Sequence, residues 1–103
     1  MLTMLLTRHP ATMRWLEREA ERRGWAYVAA RHAPHQLPPE VGRVAGVFPI
    51  ALAADWARAG IETWHVRLML DEEEREGELD DAQLAQRNPV LCQVKVIELE
   101  EKP

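Results

Sequence analysis

Arg8, His9 and Pro10 stand side by side in "LLTRHPAT", residues 5–12, directly after an apolar run. A guanidinium grips an oxyanion through a planar fork, and an imidazole changes its charge near neutral pH, so the pair suits holding an anion and moving a proton. Proline is favoured at the first position of a helix. A helix that starts there turns unpaired N–H groups and the positive end of its dipole toward the same point. A phosphate at this turn would meet the dipole, Arg8 and His9 together. A plainer reading stands beside it, in which His9 only caps the helix and Arg8 pairs with a surface carboxylate.

"GVFP", residues 46–49, repeats the arrangement: an apolar segment, a turn, and a proline before a helical pattern. In open α/β sheets ligands bind beyond the carboxyl ends of the strands, where strand order reverses. Thr7, Arg8, His9 and Pro10 from the first turn, with Phe48 and Pro49 from the second, are therefore the expected walls of a site. His65 lies within a strand pattern between Trp64 and Val66, where a histidine is more often a sheet-face residue than a catalyst. Arg67 shares its face by the period of two. Arg75 is the one positive charge in "DEEEREGELDD" and could reach across to a ligand, whereas Glu72, Glu73 and Glu74 read as a solvated loop. His32 and His35 flank Pro34 in a loop, but no cysteine or carboxylate supports them at ligand spacing. No metal and no cofactor is expected. There is no Walker loop, GxGxxG, nucleophile elbow or CxxC, so the usual NTPase, dehydrogenase and hydrolase classes have no support.

The elements that must position these residues alternate. Residues 1–7 read as a buried strand. "PATMRWLEREAERRG" reads as a helix with proline in front and Gly24 behind, its inward stripe carrying Met13, Leu16, Ala20 and the stem of Arg23. "WAYVAAR" is a second strand, "HAPHQLPPEVG" a loop with three prolines, and "RVAGVF" a third strand. "FPIALAADWARAG" repeats the proline, helix, glycine order. "IETWHVRLML" is a fourth strand, followed by an acidic loop and a short helix ending near Asn88. "PVLCQVKVIEL" alternates as a last strand, with Gln93 and Lys95 on one face suggesting an antiparallel edge. The expected fold is α/β: a small Rossmann-like, three-layer domain over residues 1–103, with a mainly parallel sheet and an edge C-terminal strand.

Composition narrows the partners. The chain has 103 residues, 47% of them hydrophobic, which suffices for one folded core. Formal net charge is −4, with positive charge in excess through residue 58 and negative charge collected afterwards. That balance disfavours coating of long DNA or RNA and leaves room for a small anion in a local arginine pocket; eleven of the 13 basic residues are arginine. No apolar run is long enough to span a bilayer, and no signal peptide is read. Cys92 is the single cysteine and fits a reducing cytoplasm.

"TRHPATMRWL", "GVFPIALAADWARAGIETWHVRLML" and "REGEL", in this order, resemble a small family of type III CRISPR accessory proteins, the Csx-sixteen family. The resemblance covers residues 3–16 and 42–80. It departs at "REGEL", where the family has arginine and glycine adjacent, in the "HAPHQLPPE" loop, and in the last strand with its acidic tail. The resemblance implies a cytoplasmic protein of antiviral signalling that binds cyclic oligoadenylate, chiefly cyclic tetra-adenylate. It implies a ring nuclease that degrades this messenger, or a module that binds it without cutting. A ring of near-symmetry also suits a homodimer about a two-fold axis, with Trp56 or Trp64 as candidate interface residues. A third reading is an unrelated small α/β protein in which "RHP" only starts a helix.

Overall fold

The computed structural model describes residues 1–69 and 79–100. Within them the order is β1 (Leu2–Leu6), α1 (Pro10–Arg23), β2 (Ala26–Ala30), β3 (Val41–Gly46), α2 (Ile50–Arg58), β4 (Glu62–Arg67), α3 (Asp81–Gln86) and β5 (Val90–Val94). The strands form one sheet in the order β2-β1-β3-β4-β5. The first four run parallel, and β5 is antiparallel to β4 at the edge. This is the expected small Rossmann-like α/β fold.

β1 is apolar apart from the buried Thr3 because it is an interior strand covered on both faces. Leu5, Ala45, Val66 and Leu91 point to one face, where Leu16 and Ala20 of α1 meet them. Met4, Leu6, Val41 and Val44 point to the other, against Trp56 of α2. α3 lies beside α1, joined by the Arg14–Asp81 ion pair (2.9 Å) and anchored by the buried Leu84. The two faces thus make three layers.

Helix boundaries follow the local chemistry. Pro10 opens α1, and Gly24 closes it at φ 72°, its N–H bonding back to the carbonyls of Ala20 and Glu21. α2 differs by one position: Pro49 is the residue before the helix, and Ile50 is its first. α3 starts with a reciprocal cap, in which Asp80 accepts from the Gln83 N–H (2.8 Å) and Gln83 Oε1 accepts from the Asp80 N–H (2.9 Å).

Two expectations are corrected here. The last strand ends at Val94, although its alternation continues to Leu99. The reason is its partner: β4 begins at Glu62, and Thr63, opposite Val94, donates its hydroxyl to the Val94 carbonyl (2.7 Å). Beyond that pair the ladder has little left to bond, and Ile97 and Leu99 are exposed. Of the two tryptophans named as interface candidates, Trp56 is the one the fold withdraws, while Trp64 is half-buried. Trp56 is buried in the core against Phe48. Trp64 packs edge-on to Trp25 at 5.5 Å, beneath Arg23.

That tryptophan pair carries a pH-dependent element. The Glu62 carboxylate accepts from the Trp64 indole (3.0 Å) and from Arg43 (3.3 Å), while Arg43 lies 4.1 Å from the Trp25 ring centre. The Trp64 bond first, then Arg43, hold the Glu62 carboxyl below its ordinary range, against some desolvation. A lowered folded-state pKa means stability that is present above the unfolded glutamate pKa of about 4.3 and is lost as pH falls through the lower folded value. Wild type should therefore exceed Glu62→Gln by about 1 kcal/mol or less at pH 7, given solvent screening. The gap should be smaller at pH 3 than at pH 7. Urea unfolding of both proteins at the two pH values checks this, and a gap that widens in acid contradicts it.

Candidate functional site

Parallel strands bring their carboxyl ends to one edge of the sheet. β1 delivers Thr7, Arg8 and His9 there, β2 delivers Arg31 and His32, and β3 delivers Val47, Phe48 and Pro49. From β1 the chain turns outward through α1 to β2; from β3 it turns the other way through α2 to β4. The gap between β1 and β3 is the topological switch point, where such sheets bind ligands. A cleft of about 470 Å³ opens at this edge, walled by Thr7, Arg8, His9, Arg31, His32 and Phe48 among others.

The floor depends on Gly46. Its φ is 144°, and a Cβ placed there would lie 2.0 Å from the Leu6 carbonyl oxygen. Without a side chain, β3 stays close to β1, and the Val47 N–H bonds to that same oxygen at 2.8 Å. The wall is fixed by Thr7, which is buried: its N–H donates to the Ala30 carbonyl (3.2 Å), and its Oγ1 accepts from the His9 N–H (3.2 Å). These bonds of the Thr7 backbone and hydroxyl set the turn, and Arg8 and His9 are exposed at the rim.

His9 is the residue before α1, at φ −91° and ψ 118°, but its side chain makes no capping bond. The imidazole is therefore not the helix cap that the plainer sequence reading supposed. Arg8 forms no ion pair among the described residues, and neither does Arg31, whereas Arg14, Arg22, Arg23, Arg43 and Arg58 are all held by carboxylates. Among the described residues no carboxylate lines the cleft. Arg8 and Arg31 bring two guanidiniums to this edge, with His9 and His32 beside them, in a protein whose net charge is negative.

Phe48 supplies the apolar wall. It packs edge-on to Trp56 at 5.7 Å and to His65 at 6.2 Å, so its ring is braced from behind. His65 sits in β4 opposite Gly46 and is not a wall of the cleft; its contact is with Phe48. Pro10 is the first residue of α1 and is likewise outside the wall, while Pro49 is in it. Arg75 lies outside the described residues.

Reasoning along the sequence missed Arg31, and weighed His32 only as a metal ligand with His35. The usable signal was the dipeptide Arg-His, which occurs at residues 8–9 and again at 31–32, each time at a strand's end. Only the pairing of β2 with β1, with Ala30 opposite Leu6, shows that the two copies share one edge.

A family model described as "Putative CRISPR-associated protein (Cas_VVA1548)" matches residues 4–97. Searches among curated proteins and among solved structures gave no significant match. Among the described residues no helix is long and apolar enough to cross a membrane.

Proposed function

Because the chain belongs to the Cas_VVA1548 family of CRISPR-associated proteins, we propose that its cleft binds the cyclic oligoadenylate messenger of type III antiviral signalling and cuts it as a ring nuclease. The observation that carries this reading is the cleft at the switch point, with Arg8, His9, Arg31 and His32 beside a braced Phe48. An oligoadenylate offers what such a wall would hold: phosphodiesters for the guanidiniums and adenine faces for the phenyl ring.

The reaction that suits these groups is attack of a ribose 2′-hydroxyl on its neighbouring phosphorus, with no metal required. Arg8 would hold the phosphate and stabilise the charge that builds on its oxygens, and His9 would move a proton. The positive end of α1 adds to the same field. A cleft of about 470 Å³ is at the small end of ligand pockets. It suits part of a ring, so we expect a homodimer with the remainder of the ligand held by a second copy.

Titration of cyclic tetra-adenylate into wild type and Arg8→Ala, followed by chromatography of the nucleotide, tests this. Wild type is expected to bind the ring and convert it to linear products. Arg8→Ala should lose roughly 10- to 100-fold in affinity, the worth of a charge-assisted hydrogen bond, and should lose rate with it. Tight binding with the ring recovered intact would leave the second reading, a module that sequesters the messenger. Absence of binding by wild type would return the chain to an α/β protein with another ligand.

A further inference from the structure

We propose that His32 is the second proton-transfer residue of this cleft, partner to His9, and that Arg31 beside it is a second phosphate-holding charge. The inference rests on the cleavage reading above and extends it to residues on a different strand. Ala30 pairs with Leu6, and the Thr7 N–H continues the ladder to the Ala30 carbonyl at 3.2 Å. Carried one step further, the register sets Arg31 opposite Thr7 and His32 opposite Arg8. The two Arg-His dipeptides thus leave neighbouring parallel strands about 4.8 Å apart, offset by one residue. Both end in the wall of the same cleft. His32 is exposed and forms no hydrogen bond among the described residues, so no packing or capping task accounts for it.

Ring opening by an internal hydroxyl needs two proton transfers. One base takes the proton from O2′ as the O2′–P bond forms; one acid gives a proton to O5′ as the P–O5′ bond breaks. The products are a 2′,3′-cyclic phosphate and a 5′-hydroxyl, so atoms and charge balance without a co-reactant. One histidine enters neutral and leaves protonated, and the other does the reverse, after which exchange with water resets both. A single imidazole cannot stand on both sides of a phosphorus undergoing in-line displacement. Two imidazoles carried by adjacent strand ends can. Arg8 and Arg31, one beside each, would face the non-bridging oxygens of the same or the neighbouring phosphate.

The test is single-turnover cleavage of cyclic tetra-adenylate across pH 4–9 by wild type, His9→Ala and His32→Ala. A second substrate carries sulfur in place of one bridging O5′. Wild type should give a bell-shaped profile, and each variant should lose one limb of it and fall by roughly 10²- to 10⁴-fold. Sulfur leaves without being protonated, so the sulfur substrate should restore the variant that lacks the acid and not the one that lacks the base. Ring affinity of His32→Ala should stay close to wild type, and since His32 is exposed its removal leaves the core intact. A wild type that cuts while His32→Ala cuts equally fast with the full bell overturns this inference alone. Loss of the same limb by both variants overturns it as well. A wild type that does not cut removes the cleavage reading and this inference together.

Discussion

His9→Ala is expected to open cyclic tetra-adenylate some ~10²- to 10⁴-fold more slowly than wild type, with ring affinity nearly unchanged. The split between rate and binding follows from the task. A group that moves a proton acts as bonds change, whereas the ground-state charge would be met by Arg8. The geometry also separates this from a stability effect. A residue whose side chain caps a helix costs about 1 kcal/mol when replaced by alanine, yet the His9 imidazole makes no capping bond and its N–H is held by Thr7 Oγ1 through the backbone. His9→Ala should therefore not carry the cost of a lost helix cap. Single-turnover rates at saturating ring, with unfolding curves alongside, decide the matter. A variant that melts earlier and cuts at the normal rate would return His9 to a structural role.

Gly46→Ala should be the most damaging single change to the fold near the site. The added Cβ would sit 2.0 Å from the Leu6 oxygen and 2.9 Å from the Leu6 carbonyl carbon, and the backbone φ of 144° is one that side chains avoid. The clash cannot be relieved by a rotamer, because its other party is the backbone of the neighbouring strand β1. Moving β3 away would break the Val47 bond to the same oxygen and open the cleft floor. A loss on the order of 4 kcal/mol or more is expected, a large share of the 5–15 kcal/mol that holds a small domain together. Gly42→Ala is the control. Its Cβ would meet only the Met1 side chain, at 2.9 Å, which can swing aside, so it should cost under about 1 kcal/mol. Superposable urea curves for Gly46→Ala and wild type would contradict the assignment.

Much of this architecture was legible along the chain because each signal was local. Pro10 brackets α1 by its fixed φ and Gly24 by its freedom to take a positive one, and β1, apolar but for Thr3, announces a strand covered on both faces. What was not legible depended on pairing. The end of β5 is decided by where β4 begins, which the alternation through Leu99 does not encode. Pro49 marks α2 but stands one residue before it, since proline also fits the extended residue at φ −65° that precedes a helix. The first half of the site, Arg8 and His9, was visible because a strand, a turn and a helix start are consecutive. The second half, Arg31 and His32, was not, because it joins the first only through the β1–β2 register. His65 shows the reverse case: a residue with suitable chemistry that the fold turns toward Phe48 rather than into the cleft.

The most direct measurement is a single-turnover incubation of the purified protein with cyclic tetra-adenylate in excess EDTA, with products resolved by chromatography and mass. Metal-free attack by the 2′-hydroxyl predicts linear oligoadenylate ending in a 2′,3′-cyclic phosphate, formed at the same rate with and without EDTA, and lost with Arg8→Ala. An intact ring, a rate abolished by EDTA, or full activity in Arg8→Ala would contradict the assignment of this cleft as a metal-independent ring-opening site.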